Sequence, residues 1–272
     1  MDRGKIKNWI LLVLLLLDLA LGALLLAGAA EQASYRKLGE ESLFEVLRQR
    51  GLTPGEALEL PESSPGSWHL ERSLQAEETL ASRLLGAVTA QNQGGNIYTY
   101  TGENGSASFR GTGEFEIQFT DPLEPGGNPR RLVLQTLESL GLDAREEDLS
   151  VRDTAEGEVY TALCRWQEAL VWNCRVRFTF TEAGLAWISG QRLFDTAGEE
   201  TAGAYSANTA VLCFLDSEYA GMAGTLEAIL PGYTMSVPMS GSCTLQPVWV
   251  LQTDAGYFQV NAVTGRTERL AE

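Results

Sequence analysis

The chain has 272 residues, 44% of them hydrophobic and 21% charged, so it can bury a substantial core and is not a disordered chain by composition. Its formal net charge is −16, and residues 31–272 alone hold 17 basic and 34 acidic side chains, a net −17. A surface of that charge repels nucleic acid and anionic lipid head groups, so no nucleic-acid partner is expected. The acidity also favours solubility.

The first feature along the chain is an apolar segment over residues 9–30 that contains one charged side chain. As a helix it would be about 33 Å long, which matches the hydrocarbon core of a bilayer. Three basic residues precede it, so the positive-inside rule places residues 1–8 in the cytoplasm and residues 31–272 outside the cell membrane. The alternative is a cleaved signal peptide, whose apolar region is usually shorter.

The one charge in this segment is Asp18, close to its middle. A carboxylate at that depth is costly and tends to find a partner. Two interpretations remain open. Asp18 either contacts another membrane helix, or it is a tolerated polar residue that becomes protonated or reaches toward the interface.

Helices and strands alternate in the first part of the region outside the membrane, residues 31–127. The predicted elements are a helix over 34–50, an irregular connection over 53–66, a strand over 67–72, a helix over 75–85, a polar loop over 91–95 and strands over 97–101, 107–110 and 114–119. The Pro/Gly-rich residues 121–127 mark a predicted subdomain boundary.

The second part, residues 128–272, repeats the pattern of a helix followed by strands. Asn128 and Pro129 are typical of a helix N-cap and first helical residue. Beyond this helix we predict strands over 159–166, 170–180 and 185–191, a helix over 206–215 that Ser206 caps, and strands over 226–235, 246–252 and 257–262. Helices that alternate with antiparallel meanders predict an α+β fold, with meander sheets packed against helices.

Four cysteines are candidates for disulfides, because a location outside the cell permits oxidation. Cys164 and Cys174 flank the turn around residues 167–169 equally, which places them opposite each other on paired strands. Cys213 in a predicted helix and Cys243 before a strand can form a second bond, although the sequence does not assign connectivity. The alternative is that some or all are small buried apolar residues.

Residues with catalytic chemistry are few. The single histidine, His69, lies in a predicted strand and cannot form a zinc site or a Ser-His-Asp triad without further motif residues. No catalytic, cofactor or metal site is therefore expected, and the chain is predicted not to be an enzyme. Aromatic residues belong to the core by default, but Tyr233, Trp249 and Tyr257 can instead form a partner surface.

The order of motifs resembles that of a known family. These motifs are the start MDRGKIKNW, then Leu60-Pro61, Leu84-Leu85-Gly86, the run LESLGL over residues 137–142, Pro231-Gly232-Tyr233, the run LQPVW over 245–249 and the run YFQVNAVTG over 257–265. Together they resemble the YycH/YycI family, and its YycI branch in particular, over nearly the whole chain. The ending also resembles the PepSY-type module, a helix packed on a small antiparallel sheet.

The resemblance implies a bacterial accessory protein that sits beside a cell-wall sensor histidine kinase of the WalK/YycG type, often with a YycH-like protein. It implies control through the transmembrane helix and the extracytoplasmic domain. This chain departs from the family by Asp18 in place of a common amide, and by a Gln167-Glu168-Ala169 turn where members often have Asn-Gly. The PepSY-like ending implies an alternative function, an inhibitory or ligand-binding module that acts on a secreted protease or a cell-wall component.

Overall fold

The computed structural model describes, besides Gly39, residues 41–61, 64–155, 157–194, 196–197, 203–238 and 242–270. The predicted membrane segment, residues 9–30, lies outside these ranges. Within them, no helix combines the length and apolarity needed to cross a bilayer.

Four α-helices lie in the described part of the chain. They are α1 (residues 41–49), α2 (Leu74–Leu85), α3 (Pro129–Ser139) and α4 (Ala207–Leu215). The side chains of Ser73, Asn128 and Ser206 cap the last three by accepting a hydrogen bond from a backbone N–H of the first turn. The N-caps predicted at Asn128 and Ser206 are thus confirmed.

Fifteen strands make up about half of the described residues. They are β1 (Thr53–Pro54), β2 (Trp68–Glu71), β3 (Thr89–Gly94), β4 (Ile97–Gly102), β5 (Gly105–Arg110), β6 (Glu114–Leu123), β7 (Leu149–Thr154), β8 (Gly157–Trp166), β9 (Ala169–Thr181), β10 (Gly184–Gln191), β11 (Thr196–Ala197), β12 (Thr225–Ser236), β13 (Ser242–Thr253), β14 (Gly256–Asn261) and β15 (Thr267–Arg269).

The strands form three successive units, each a helix followed by four antiparallel strands in chain order. The first unit is α2 with β3–β6, the second is α3 with β7–β10, and the third is α4 with β12–β15. The predicted α+β class with antiparallel meanders is confirmed.

The three units, together with β1, β2 and β11, form one continuous 15-stranded sheet. The last strands of the first two units, β6 and β10, pair antiparallel, with Ile117 opposite Ile188. A short parallel contact, in which Gly232 and Tyr233 of β12 face the start of β9, attaches the third unit. The predicted boundary at residue 127 therefore falls between two units of a single sheet.

Two hydrophobic cores lie under the helices. One lies between α2, α3 and the sheet of the first two units, and it includes Phe109, Ile117 and Phe178, each almost fully buried. The other lies between α1, α4 and the third unit, and it includes Phe214 and Trp249. Burial of side chains of this size contributes about 1.5–3 kcal/mol each, so the two cores dominate the stability of the fold.

A buried ion cluster fixes the junction between α2 and the sheet. Arg72 donates to both carboxylate oxygens of Glu77, at 2.6 and 2.9 Å, and Arg192 reaches the same carboxylate at 3.5 Å. The three side chains are at most 7% exposed. Arg192 also lies over the ring of Phe109, 5.4 Å from its centroid. The cluster ties the start of α2 to the chain that leaves β10.

Three strands of three or more residues have no counterpart in the sequence prediction: β3, β7 and β15. The polar loop predicted over residues 91–95 is wrong, because most of it belongs to β3. The whole of β3 and five of the six residues of β7 are exposed, and each strand pairs with one neighbour in the described sheet. Only Leu149 of these two strands is buried, so neither strand shows the repeated apolar alternation that marks a half-buried strand.

The ion cluster gives a direct test of the packing. We expect Glu77→Gln to lower the free energy of unfolding by about 3–5 kcal/mol, because it leaves two buried guanidinium groups without a carboxylate. Glu78→Gln is the matched control, since Glu78 is exposed on the same helix, and it should change stability by less than about 0.5 kcal/mol. Urea unfolding followed by circular dichroism measures both. Equal stability of the two variants would contradict a role for the cluster.

Candidate functional site

One face of the sheet formed by the first two units is open. Residues of β6 and β9 alternate regularly, so that Phe115, Ile117 and Val176 point into the core under α2 and α3. Their neighbours Glu116 and Arg177 are exposed on the opposite face. The helices therefore cover one side of this sheet and leave a broad polar surface on the other.

The strand register places the residues of the open face in lateral rows. The middle row, from β4 to β7, is Thr99, Ser108, Glu116, Ser189, Arg177, Thr161 and Ser150. The row beside it is Thr101, Ser106, Gln118, Trp187, Thr179, Val159 and Arg152. Hydroxyl and amide groups thus form a neutral polar background in which a few charges and one tryptophan stand out.

A groove of about 1060 Å³ runs over this face. It is lined by Arg110, Glu114, Phe115, Glu116, Ser150, Val151, Arg152, Thr154, Val159, Thr161, Asn173, Arg175, Arg177, Ser189, Gly190 and Gln191. Four arginines against two glutamates give the lining a net charge of +2, in a chain whose net charge is −16. The groove is therefore a basic site on an acidic protein.

Charge is unevenly distributed along the groove. Arg110 and Glu114 at one end form an exposed ion pair at 4.0 Å, which leaves Glu116 as the excess charge there. At the other end lie Arg152 and Arg177, and no carboxylate of the described residues comes within 4 Å of either. The groove thus has a negative end on β6 and a positive end from β9 to β7.

Trp187 lies beside the groove and is 43% exposed, although tryptophan is usually much more buried. Its register neighbours are Gln118 and Thr179, both on the open face. Tryptophan and arginine are the side chains most enriched at energetically important positions of protein interfaces. Their combination on one open face is typical of a surface that binds a partner.

Cys164 and Cys174, predicted to face each other across the hairpin of β8 and β9, are neighbours in the buried core and are free thiols. A hydrogen bond with Cys164, together with burial, raises the pKa of the Cys174 thiol well above its ordinary value. Cys174 also donates to the backbone carbonyl of Gln191 at 3.3 Å. A disulfide between Cys164 and Cys174 stays a prediction.

The other two cysteines are not brought together. Cys243 is buried in the core of the first two units, and burial raises the pKa of its thiol to about 12. Cys213 packs at the edge of the other core and is only half-buried. The two thiols lie in different clusters because Cys213 is on α4, whereas the start of β13 carries Cys243 alongside β2.

Of the three aromatic residues predicted as core or as a partner surface, two are buried and one is half-buried. Tyr233 and Trp249 are 4% and 0% exposed, so both belong to the core. The indole N–H of Trp249 donates to the backbone carbonyl of Tyr205 at 2.7 Å, which satisfies its polar group inside the protein. Tyr257 is half-buried and packs beside Trp172 at 6.2 Å between ring centroids.

The remaining predicted sites add no chemistry to the groove. Asp18 lies outside the described residues. His69 is exposed on β2, opposite Thr244 of β13, and does not line the groove. In the part of the chain that the structure describes, no group of three or more His, Cys, Asp or Glu side chains is arranged to hold a metal ion.

The groove itself is absent from the sequence prediction. Arg175 and Arg177 flank the buried Val176, and this alternation does signal two arginines on the outer face of a strand. The sequence does not indicate that β10 and β7 bring Ser189 and Arg152 to the same face.

No protein-family model matches the chain, and no curated protein matches it. Among solved structures, an uncharacterized protein from Eubacterium rectale ATCC 33656 is similar at 14% identity and a TM-score of 0.48, over 81% of this chain and 90% of that one. YycH from Bacillus subtilis is similar at 11% identity and a TM-score of 0.39, over 76% of this chain and 55% of that one. These values describe a distant likeness, and neither structure carries a conclusion about function.

The thiols provide a test of the core. In the reduced native protein we expect iodoacetamide to label Cys213 first, and Cys174 and Cys243 at least about a hundredfold more slowly, because raised pKa values keep their thiols protonated and burial blocks access. Mass spectrometry of timed samples measures the rates. Cys213→Ser should abolish the fast phase, and unfolding in urea should expose the slow sites. Fast native labelling of Cys174 would contradict the described packing.

Proposed function

We propose that this chain is a membrane-anchored accessory protein that regulates a cell-wall sensor histidine kinase through contacts of its N-terminal helix and its extracytoplasmic domain. The observation that carries the interaction role is the open sheet face, where Trp187 and a basic groove are exposed on an acidic protein. Tryptophan and arginine are enriched at protein interfaces, which supports a binding role for this face.

The class of partner is supported by the resemblance to the YycI branch. The motifs that carry it extend from the first residues to the run YFQVNAVTG over 257–265. Members of that family act beside a kinase of the WalK/YycG type, often with a YycH-like protein. We infer the same partners for this chain.

The proposed location follows from the apolar residues 9–30 and the basic residues before them. In this topology the groove lies outside the cell, on the side where a sensor kinase carries its own extracytoplasmic domain. Asp18 would lie within the bilayer, where a carboxylate favours contact with a polar group of a neighbouring helix.

The proposed role is binding without catalysis. The groove is lined by arginine, glutamate, hydroxyl and amide side chains, and His69 and the cysteines stand outside its lining. Arginines of this kind recognise carboxylates or phosphates by charge and hydrogen bonding. We therefore propose that the groove recognises a partner and leaves it chemically unchanged.

Co-purification tests the proposal. Three versions of the chain are expressed in membranes with a WalK-type kinase: wild type, Asp18→Leu, and the extracytoplasmic domain on an unrelated transmembrane helix. We expect wild type to recover the kinase and the helix exchange to lose most of it, with Asp18→Leu in between, because part of the contact runs through the bilayer. Leu14→Ile is the control, since it changes the same segment without altering polarity.

Recovery that depends on Asp18 but not on Leu14 would support a polar contact between helices. Equal recovery by the helix exchange and the wild type would contradict the role of the membrane segment. If no version recovers the kinase, the proposed partner is wrong, and a secreted partner for the extracytoplasmic domain is then favoured.

A further inference from the structure

We infer that the groove on the open face binds an extended peptide segment of a protein partner, with an acidic side chain against Arg152 and Arg177 and a basic side chain against Glu116. The inference rests on the proposed function, because it names the chemistry that the partner presents to the extracytoplasmic domain. It depends on the length of the groove, on the order of its charges and on the polarity of its lining.

The length of the groove suits a short peptide. From Glu116 on β6 to Arg152 on β7 the sheet crosses four strand spacings, through β10, β9 and β8. At about 4.8 Å each, these spacings amount to about 19 Å, which about six extended residues would span at about 3.3 Å each. A hexapeptide laid across the strands therefore reaches both charged ends.

The order of charges favours a peptide of mixed sign. Glu116 and Arg177 lie in one lateral row, with Ser189 between them, so their strands are about 10 Å apart. That separation corresponds to about three residues of an extended peptide. A basic residue opposite Glu116 and an acidic residue about three positions away, opposite Arg177, would satisfy both groups.

The polar lining of the groove disfavours a small molecule as its occupant, and the order of its charges disfavours an anionic polymer. Small-molecule sites are mostly apolar and enclosed, whereas this groove is lined largely by charged, hydroxyl and amide groups. A uniformly anionic polymer would meet the excess negative charge of Glu116 at one end and be repelled there. A peptide varies its charge from residue to residue and avoids that conflict.

The test is selection from a library of random hexapeptides displayed on beads, with the purified full chain in detergent as the target. Two double variants are compared with wild type: Arg152→Glu with Arg177→Glu in the groove, and Arg130→Glu with Arg131→Glu on α3. Both change the net charge by the same amount. Urea unfolding midpoints that match the wild type verify that each variant is folded.

We expect wild type and the α3 variant to enrich the same peptides, with a basic and an acidic residue about three positions apart. The groove variant should bind these peptides about tenfold or more weakly and should enrich peptides with basic residues at both positions instead. If the groove variant enriches the same peptides as wild type, or if wild type enriches none, the inference is overturned.

Inorganic polyphosphate is the probe for an anionic polymer. We expect polyphosphate to bind weakly both to wild type and to the groove variant. Binding that is stronger than that of any selected peptide and is lost in the groove variant would overturn the peptide assignment in favour of a polymer.

The same groove variant in the kinase co-purification separates this inference from the proposed function. Selected peptides that bind wild type while no version recovers the kinase would leave the groove assignment standing and refute the partner. Recovery of the kinase by the groove variant at the wild-type level, together with failure of the peptide selection, would refute the groove assignment and leave the proposed function standing.

Discussion

The pairing of β6 with β10 is the constraint on which the rest of the structure depends. Each of these strands ends a four-stranded meander and would otherwise be an exposed edge with unpaired backbone groups. Their antiparallel ladder removes both edges and places Ile117 beside Ile188 in one core. Because α2 and α3 then lie on the same side of the combined sheet, the opposite side is left as one uninterrupted surface. The groove exists only as a product of that pairing.

The parts of the fold that the sequence predicts are those whose signals are local. Asn128 and Ser206 cap helices as expected, and the alternation of Phe115, Ile117 and Phe119 marks β6. The edge strands β3 and β7 escape prediction although each forms a local hairpin with the next strand, because nearly all of their residues are exposed and give no repeated apolar alternation. The hairpin turn at Gln167-Glu168 has positive φ at both residues without a glycine, and contacts of Glu168 with Arg145 and Arg165 help to hold it.

The candidate site is predicted only in fragments because the β6–β10 pairing that assembles it is not local. The spacing of Arg175 and Arg177 indicates a shared strand face, but the placement of Arg177 in one row with Glu116, with Ser189 between them, depends on a ladder between residues about 70 apart in sequence. The tryptophans show that residue type alone does not predict burial. Trp249 and Trp187 are the same residue type, yet Trp249 is fully buried and Trp187 is 43% exposed. Only the three-dimensional register distinguishes a core tryptophan from one that can meet a partner.

The way in which the third unit is attached has a mechanical consequence. Helix α1, which follows the proposed membrane segment, packs on the third unit, whereas the groove belongs to the first two. The third unit meets β9 through two residue pairs, extended by the side chain of Asn173, which exchanges two hydrogen bonds of 2.7 Å with the backbone of Met235. A force on the proposed membrane segment would thus reach the groove through this contact, through the β2–β13 ladder and through the packing of Met235 and Leu245 in the core of the first two units. Asn173 also lines the groove. A force transmitted from the N-terminal segment and a ligand bound in the groove would therefore act on the same side chain.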